Sequence, residues 1–260
     1  LSESIRAVER ALDVLQCFSM QTPELNMTQI SERVGMHKST VHRLLATLEK
    51  RHFVERDPIT GLYHPGIRFL QLAYLTQESN DIRRIALPFM QRLCAQYLEN
   101  VNLAVLDGSD VVFIEITEGS QQIKLAASPG QRLPVYCTAS GKAIIAFLPG
   151  DRIEKILDAG IQAHTSCTLT SREEILENLK SVRENGFALD KEELEEGINA
   201  VAAPILDKES HPVASISVAG PAYRLTNERM LEIGLVVRKT AEEISSEIQR
   251  TPGPWGFPGK

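Results

Sequence analysis

The chain has 260 residues, 43 % apolar and 24 % charged, with a formal net charge of -6. That is about two domains' worth at ~150 residues each, with enough apolar surface for a core, so a wholly disordered chain is excluded. The longest run without Asp, Glu, Lys or Arg is the 14 residues from Ser210 to Tyr223, short of the ~20 that a membrane helix needs.

Four cysteines, at positions 17, 94, 137 and 167, have no paired spacing, and no apolar signal-peptide run follows Leu1. Both features suit a reducing cytoplasm. Charge is unevenly spread. Residues 1–80 carry nine basic and nine acidic side chains, whereas residues 81–260 carry 19 and 25. Within the first block, residues 28–56 hold six basic side chains (Arg33, Lys38, Arg43, Lys50, Arg51, Arg56) against three acidic ones. An acidic protein with one basic island fits a local contact with nucleic acid, not a general coating of it.

In chain order, residues 4–18 place Ile5, Val8, Leu12 and Leu15 at helical spacing. Thr28 is positioned to cap a short helix over residues 29–34, and Gly35 lets the chain turn at its end. Val41, Leu44, Leu45 and Leu48 then form the stripe of a helix from about Lys38 to Lys50. Two β-prone runs, 53–55 and 62–64, flank a turn and read as a hairpin. Residues 66–77 form a further helix with Ile67, Leu70, Ala73 and Tyr74 on one side.

Beyond residue 80 the pattern changes. A helix over 82–97 is interrupted by Pro88, and runs at 101–106, 111–116 and 123–126 read as an antiparallel meander. Helices are expected at 140–148, 151–159 and 172–185, strands at 200–206 and 213–219, and a long helix at 226–249. The Pro/Gly-rich tail, 251–260, reads as disordered. The mixed order gives an α+β second half. The expected division is a DNA-binding domain at 1–65, a linker helix at 66–80 with a hinge at 77–80, and a second domain at 81–250.

Helix, tight glycine turn, second helix and hairpin make the layout of a winged helix-turn-helix, whose second helix enters the DNA major groove. With Val41, Leu44, Leu45 and Leu48 inward, the outer face presents Lys38, Ser39, Thr40, His42, Arg43 and Thr47. Hydroxyls suit phosphate, and Arg grips the O6 and N7 atoms of guanine at two points. Thr28 and the wing residue Arg56 complete the candidate contacts. Any soluble amphipathic helix also shows a polar face; the preceding helix, Gly35 and the hairpin favour DNA.

Three segments carry a more specific signal. Arg10-Ala11-Leu12 with residues 27–57 (MTQISERVGMHKSTVHRLLATLEKRHFVERD) resembles the N-terminal domain of the IclR family of bacterial transcriptional regulators. Residues 130–149 (GQRLPVYCTASGKAIIAFLP) resemble the family's G-x-R-x-P … T-A-x-G-K-A segment. Residues 186–207 match its signature at Gly186, Asp190, Glu193, Ala200, Val201, Ala202, Ile205 and Asp207, and depart from it at Leu206. The resemblance implies an N-terminal winged helix-turn-helix domain and a C-terminal effector-binding domain with a GAF-like or profilin-like antiparallel sheet. It also implies a homodimer or dimer of dimers on double-stranded, partly symmetric operator DNA, and a small organic or aromatic acid as effector.

Candidate effector contacts follow. Thr138, Ala139, Ser140 and Gly141 open a helix whose free N–H groups would favour a carboxylate; the alternative is a plain cap with Gly141 there for close packing. Asp190 matches a family position that faces the effector, or is a solvated turn carboxylate. Period two places Ser217 and Ala219 on one strand face, beside Ala200. Relatives often carry Cys at Ala200 and Ser at Ala219, so this pocket is expected to be roomier and less polar. Asp190 must then either accept from a ligand hydroxyl or be protonated when an acid binds.

Rival readings are a sensor or interaction module without DNA binding, and an enzyme using Cys137 with His164 as base. The chain lacks G-x-S-x-G, H-E-x-x-H, G-x-G-x-x-G and Walker A strings. His164, Cys167 and Cys137 could ligate zinc, though scattered candidates without a C-x-x-C are a weak signal, and the acidic run Glu192, Glu193, Glu195, Glu196 reads as a solvated face or turn rather than a metal site. No cofactor and no metal are expected.

Overall fold

The computed structural model describes residues 5–19, 22–78, 81–123 and 125–250. The chain divides into two compact units, Leu1–Ser79 and Asn80–Lys260. Positions 79 and 80 of the expected hinge, and the expected disordered tail, lie outside the described residues.

The first unit runs α1 (Arg6–Gln16), α2 (Met27–Val34), α3 (Lys38–Lys50), β1 (Val54–Arg56), β2 (Tyr63–Pro65) and α4 (Arg68–Glu78). Its core is small: Val14, Leu25, Ile30, Val41, Leu45 and Val54 are buried together. Each such side chain contributes about 1.5–3 kcal/mol when removed from water. The two strands form an antiparallel wing, Glu55 opposite His64, and Leu25 adds a bridge to Tyr63.

One local expectation changes here, and two others are refined. The cap of α2 is Asn26, not Thr28. Asn26 Oδ1 accepts from the Gln29 N–H while Gln29 Oε1 accepts from the Asn26 N–H, a reciprocal box that Thr28 does not supply. Gly35 does end the helix in the left-handed conformation, at φ 62°. α1 forms as its spacing predicts but packs through Val14 and Leu15; Ile5, Val8 and Leu12 are more than half exposed. α4 forms as well, and Ile67 before it and Leu70 and Tyr74 on it are exposed among the described residues.

The second unit runs α5 (Asp81–Tyr97), β3 (Asn100–Asp107), β4 (Asp110–Thr117), β5 (Arg132–Pro134), α6 (Ala139–Ile145), α7 (Gly150–Leu157) and α8 (Arg172–Asn185). It closes with β6 (Ala188–Lys191), β7 (Ile198–Leu206), β8 (Pro212–Pro221) and α9 (Asn227–Arg250). The strands form one sheet in the order β5-β4-β3-β8-β7-β6, and every pair is antiparallel. One face carries Leu103, Val105, Val201, Ala203, Ile216 and Val218 against α5 and α9. The other packs Ala104, Val111, Phe113, Ala188 and Ala202 beneath α6, α7 and α8. This is an α+β domain.

Two expectations change here as well. α5 continues through Pro88, because the buried residues Ala86, Met90 and Leu93 hold both halves against the sheet and outweigh one lost backbone hydrogen bond. The expected strand at 123–126 is absent among the described residues; Ile123 is exposed and the meander's third strand is β5.

Candidate functional site

On α3, Val41, Leu45 and Leu48 are buried, and Lys38, Ser39, His42, Arg43 and Thr47 are exposed; Thr40 and Thr28 are half-buried. Among the described residues no ion-pair partner holds Lys38 or Arg43, so both cations remain available. Thr47 donates to the Arg43 carbonyl at 2.8 Å. Arg56, expected as a wing contact, is exposed but tied down: its Nε donates to the Gly61 carbonyl at 3.2 Å and its guanidinium lies 5.5 Å from the Tyr63 ring centroid. Arg33 drops out of the basic island, because it donates to the Cys17 carbonyl and to Thr22 Oγ1.

The second unit contains a cavity of about 300 Å³ on the α6 side of the sheet. Its floor follows from register. Asp190 pairs with Ala200, Ala200 with Ala219, and Asn102 with Ser217. These positions share one face because residues alternate along each strand, and their small side chains leave space where large ones would fill it. Thr138, Ala139 and Ser140 form another wall, so seven of the eight residues singled out above meet there. Gly141 does not. A Cβ on it would lie 2.3 Å from Val135 Cα, so this glycine serves close backbone packing. Thr138 caps the helix, accepting from the Gly141 N–H at 3.2 Å.

Sequence reasoning missed Asn102, Phe113, Gln131, Leu133 and Leu194, which also line the cavity. Asn102 is 3 % exposed, and its Nδ2 donates to Ser217 Oγ at 3.4 Å while its Oδ1 has no partner among the described residues. A polar residue alternating with Val101 and Leu103 in a strand is the signal that marks it.

Behind the cavity lies a buried charge cluster. Lys142, wholly buried, donates to Glu193 Oε1 at 2.5 Å. Glu193 is 6 % exposed, so the acidic run is not simply a solvated face; one member turns inward to neutralise Lys142. Asp190 Oδ1 accepts from the Glu193 N–H at 2.8 Å. Burial raises the Asp190 carboxyl to about 7, and Lys142 and the Glu193 N–H offset it only in part. Burial likewise pushes the Cys137 thiol up to about 12, reinforced by Asp190 and Glu193. A thiol so held is protonated and poorly nucleophilic. His164, its expected base, lies against Tyr136 Oη at 3.1 Å.

Among the described residues, Cys137, His164 and Cys167 do not gather as metal ligands. The group that does, Asp207, Glu209 and His211, is exposed in part, and Asp207 Oδ1 already accepts from the Glu209 and His211 N–H groups. No helix of the described residues is long and apolar enough to cross a membrane.

A helix-turn-helix unit with a wing, joined in one chain to an α+β unit, defines a DNA-binding transcriptional regulator. Residues 7–58 match the IclR helix-turn-helix domain, and residues 74–246 match the bacterial transcriptional regulator IclR C-terminal domain. The chain is 37 % identical over 228 residues to the HTH-type transcriptional regulator XynR of Escherichia coli (strain K12), covering 87 % of this chain and 90 % of that one. An IclR transcriptional regulator from Alicyclobacillus acidocaldarius has the same fold, with a TM-score of 0.84 at 27 % identity over 94 % of this chain and 99 % of its own. So does an IclR homolog from Microbacterium hydrocarbonoxydans, crystallised with 4-hydroxybenzoate, at a TM-score of 0.82 and 24 % identity over 94 % and 100 %. The chain belongs to the IclR family of bacterial transcriptional regulators.

Proposed function

We propose that the protein controls transcription from double-stranded operator DNA in response to a small organic acid held in the cavity of its second unit. The reading is carried by the convergence of Asn102, Ser140, Asp190 and Ser217 on one cavity of about 300 Å³. That volume suits a ligand of a few to a dozen heavy atoms, aliphatic or single-ringed. Crystallisation of a same-fold homolog with a hydroxybenzoate supports a ring-sized occupant.

The α3 face is read as the base-contacting surface, with Arg43 on bases and Lys38, Ser39 and Thr40 on phosphates. A homodimer, or a dimer of such dimers, would set two α3 helices one DNA turn apart, ~34 Å, or a multiple of it. The uncovered apolar residues of α4 and α1 support self-association. The protein is read as a regulator and not an enzyme, since the buried, protonated Cys137 thiol removes the nucleophile. Localisation in the cytoplasm follows from the need to reach the operator.

A gel shift on the DNA upstream of its own gene, with and without a panel of keto acids and hydroxybenzoates, tests the reading. A specific shift that one acid changes is expected. No specific shift at any salt concentration would remove the DNA-binding role, and a shift indifferent to every acid would remove the effector role.

A further inference from the structure

The cavity raises a problem of charge for the ligand just proposed. Among the described residues no Arg, Lys or His lines it, while Asp190 and Glu195 do. The nearby cation, Lys142, is already committed to Glu193. Groups facing Asp190 from the packed elements are Lys142 of α6, Glu193 and Glu195 of the loop after β6, and the Cys137 thiol before α6. The strands β3, β7 and β8 contribute only neutral Asn102, Ala200, Ser217 and Ala219. Lys142 is paired with Glu193, and its field and the Glu193 N–H offset the burial of Asp190 only in part, so Asp190 is a partly compensated buried carboxyl, 4 % exposed, on the wall that the ligand must touch. Two carboxylates in one enclosed site favour the protonation of one of them.

Resting on the effector reading above, we infer that an organic acid enters this cavity with one proton, taken from bulk water onto Asp190, which then donates a hydrogen bond to the ligand carboxylate. Asp190 is thereby a specificity-determining donor, and acid binding is linked to pH. Burial already holds the empty-site carboxyl near 7, so the required proton is within easy reach at neutral pH.

The test is calorimetry on the full chain with pyruvate, benzoate and 4-hydroxybenzoate, each beside its primary amide, in buffers of different ionisation enthalpy. For an acid that binds, about one proton should be taken up per ligand near pH 8.5 and almost none near pH 6. Its affinity should fall about tenfold per pH unit above 7, and that of the amide should stay flat. Asp190→Asn, a permanent donor, should lose the slope and bind the acid tenfold or more tighter than wild type near pH 8.5.

Acid binding without proton uptake at either pH would overturn the inference and leave the effector reading standing. A slope that survives Asp190→Asn, or that the amides share, would overturn it too. Lys124 lies outside the described residues, next to the cavity-lining Leu125, so Lys124→Ala is included; loss of the slope in that variant would assign the linkage elsewhere. No binding by any acid at either pH would overturn the effector reading, and this inference with it.

Discussion

The two units carry function in opposite ways. In the first, a core of eight buried apolar residues supports a helix whose candidate DNA contacts are exposed, with Thr40 half-buried. In the second, two cores on either side of a six-stranded sheet enclose the working side chains, and a buried Lys142–Glu193 pair lies behind them. A surface site needs the fold only as a platform, so its residues can change at little cost to stability. An enclosed site shares its atoms with the core, so a change there alters stability and binding together.

Lys142→Met should break the second unit most severely. It leaves Glu193 buried without a partner and should cost about 3–5 kcal/mol, read as a lower urea midpoint for the second unit's transition. Pairing it with Glu193→Leu should recover most of the loss, because an apolar pair leaves no buried charge without a partner.

Asp190→Asn should move stability in the other direction. The folded carboxyl lies near 7, above its ordinary 3.8. Between those values the folded chain holds more protons than the unfolded one, so stability falls as pH rises through that window. The variant removes this loss, a gain of about 2–4 kcal/mol above pH 7 and none near pH 4. Thermal melts at the two pH values check it; an equal effect at both would mean the carboxyl does not titrate there.

Gly141→Ala brings a Cβ to 2.3 Å from the Val135 backbone and should cost about 1–3 kcal/mol. Its urea curve, compared with that of the first unit alone, localises the loss. On the surface helix the pattern reverses: Arg43→Ala should leave the melt unchanged and weaken specific DNA binding by about 1–3 kcal/mol. Competition between operator and random DNA measures it. Smallest is Asn26→Ala, which removes the α2 cap for about 1 kcal/mol, seen as a modest fall in the first unit's midpoint. Thr28→Ala, by contrast, should barely change it.

The α3 face was legible because a 3.6-residue period decides inward and outward from near neighbours alone, and Gly35 marks the preceding turn by its own backbone freedom. The same period marked the helices α1 and α4, yet Ile5, Val8, Leu70 and Tyr74 on or beside them are exposed among the described residues. Periodicity reports a face, not what it meets.

The cavity was legible in part, through the family segments that hold Thr138 and Asp190 and the strand alternation that marks Ser217. Its remaining wall was not. Asn102 and Ser217 are 115 residues apart in the chain and meet only because β3 pairs with β8. Glu193 looked like one of several solvated acids, and only the burial of Lys142 shows which of them turns inward. Helix faces, caps near glycine and the composition of each half are local properties, settled within a few residues of chain. Strand order, register and the pairing of buried charges depend on long-range closure. They are what bring alanines, serines and one aspartate, far apart in the linear chain, together around one cavity.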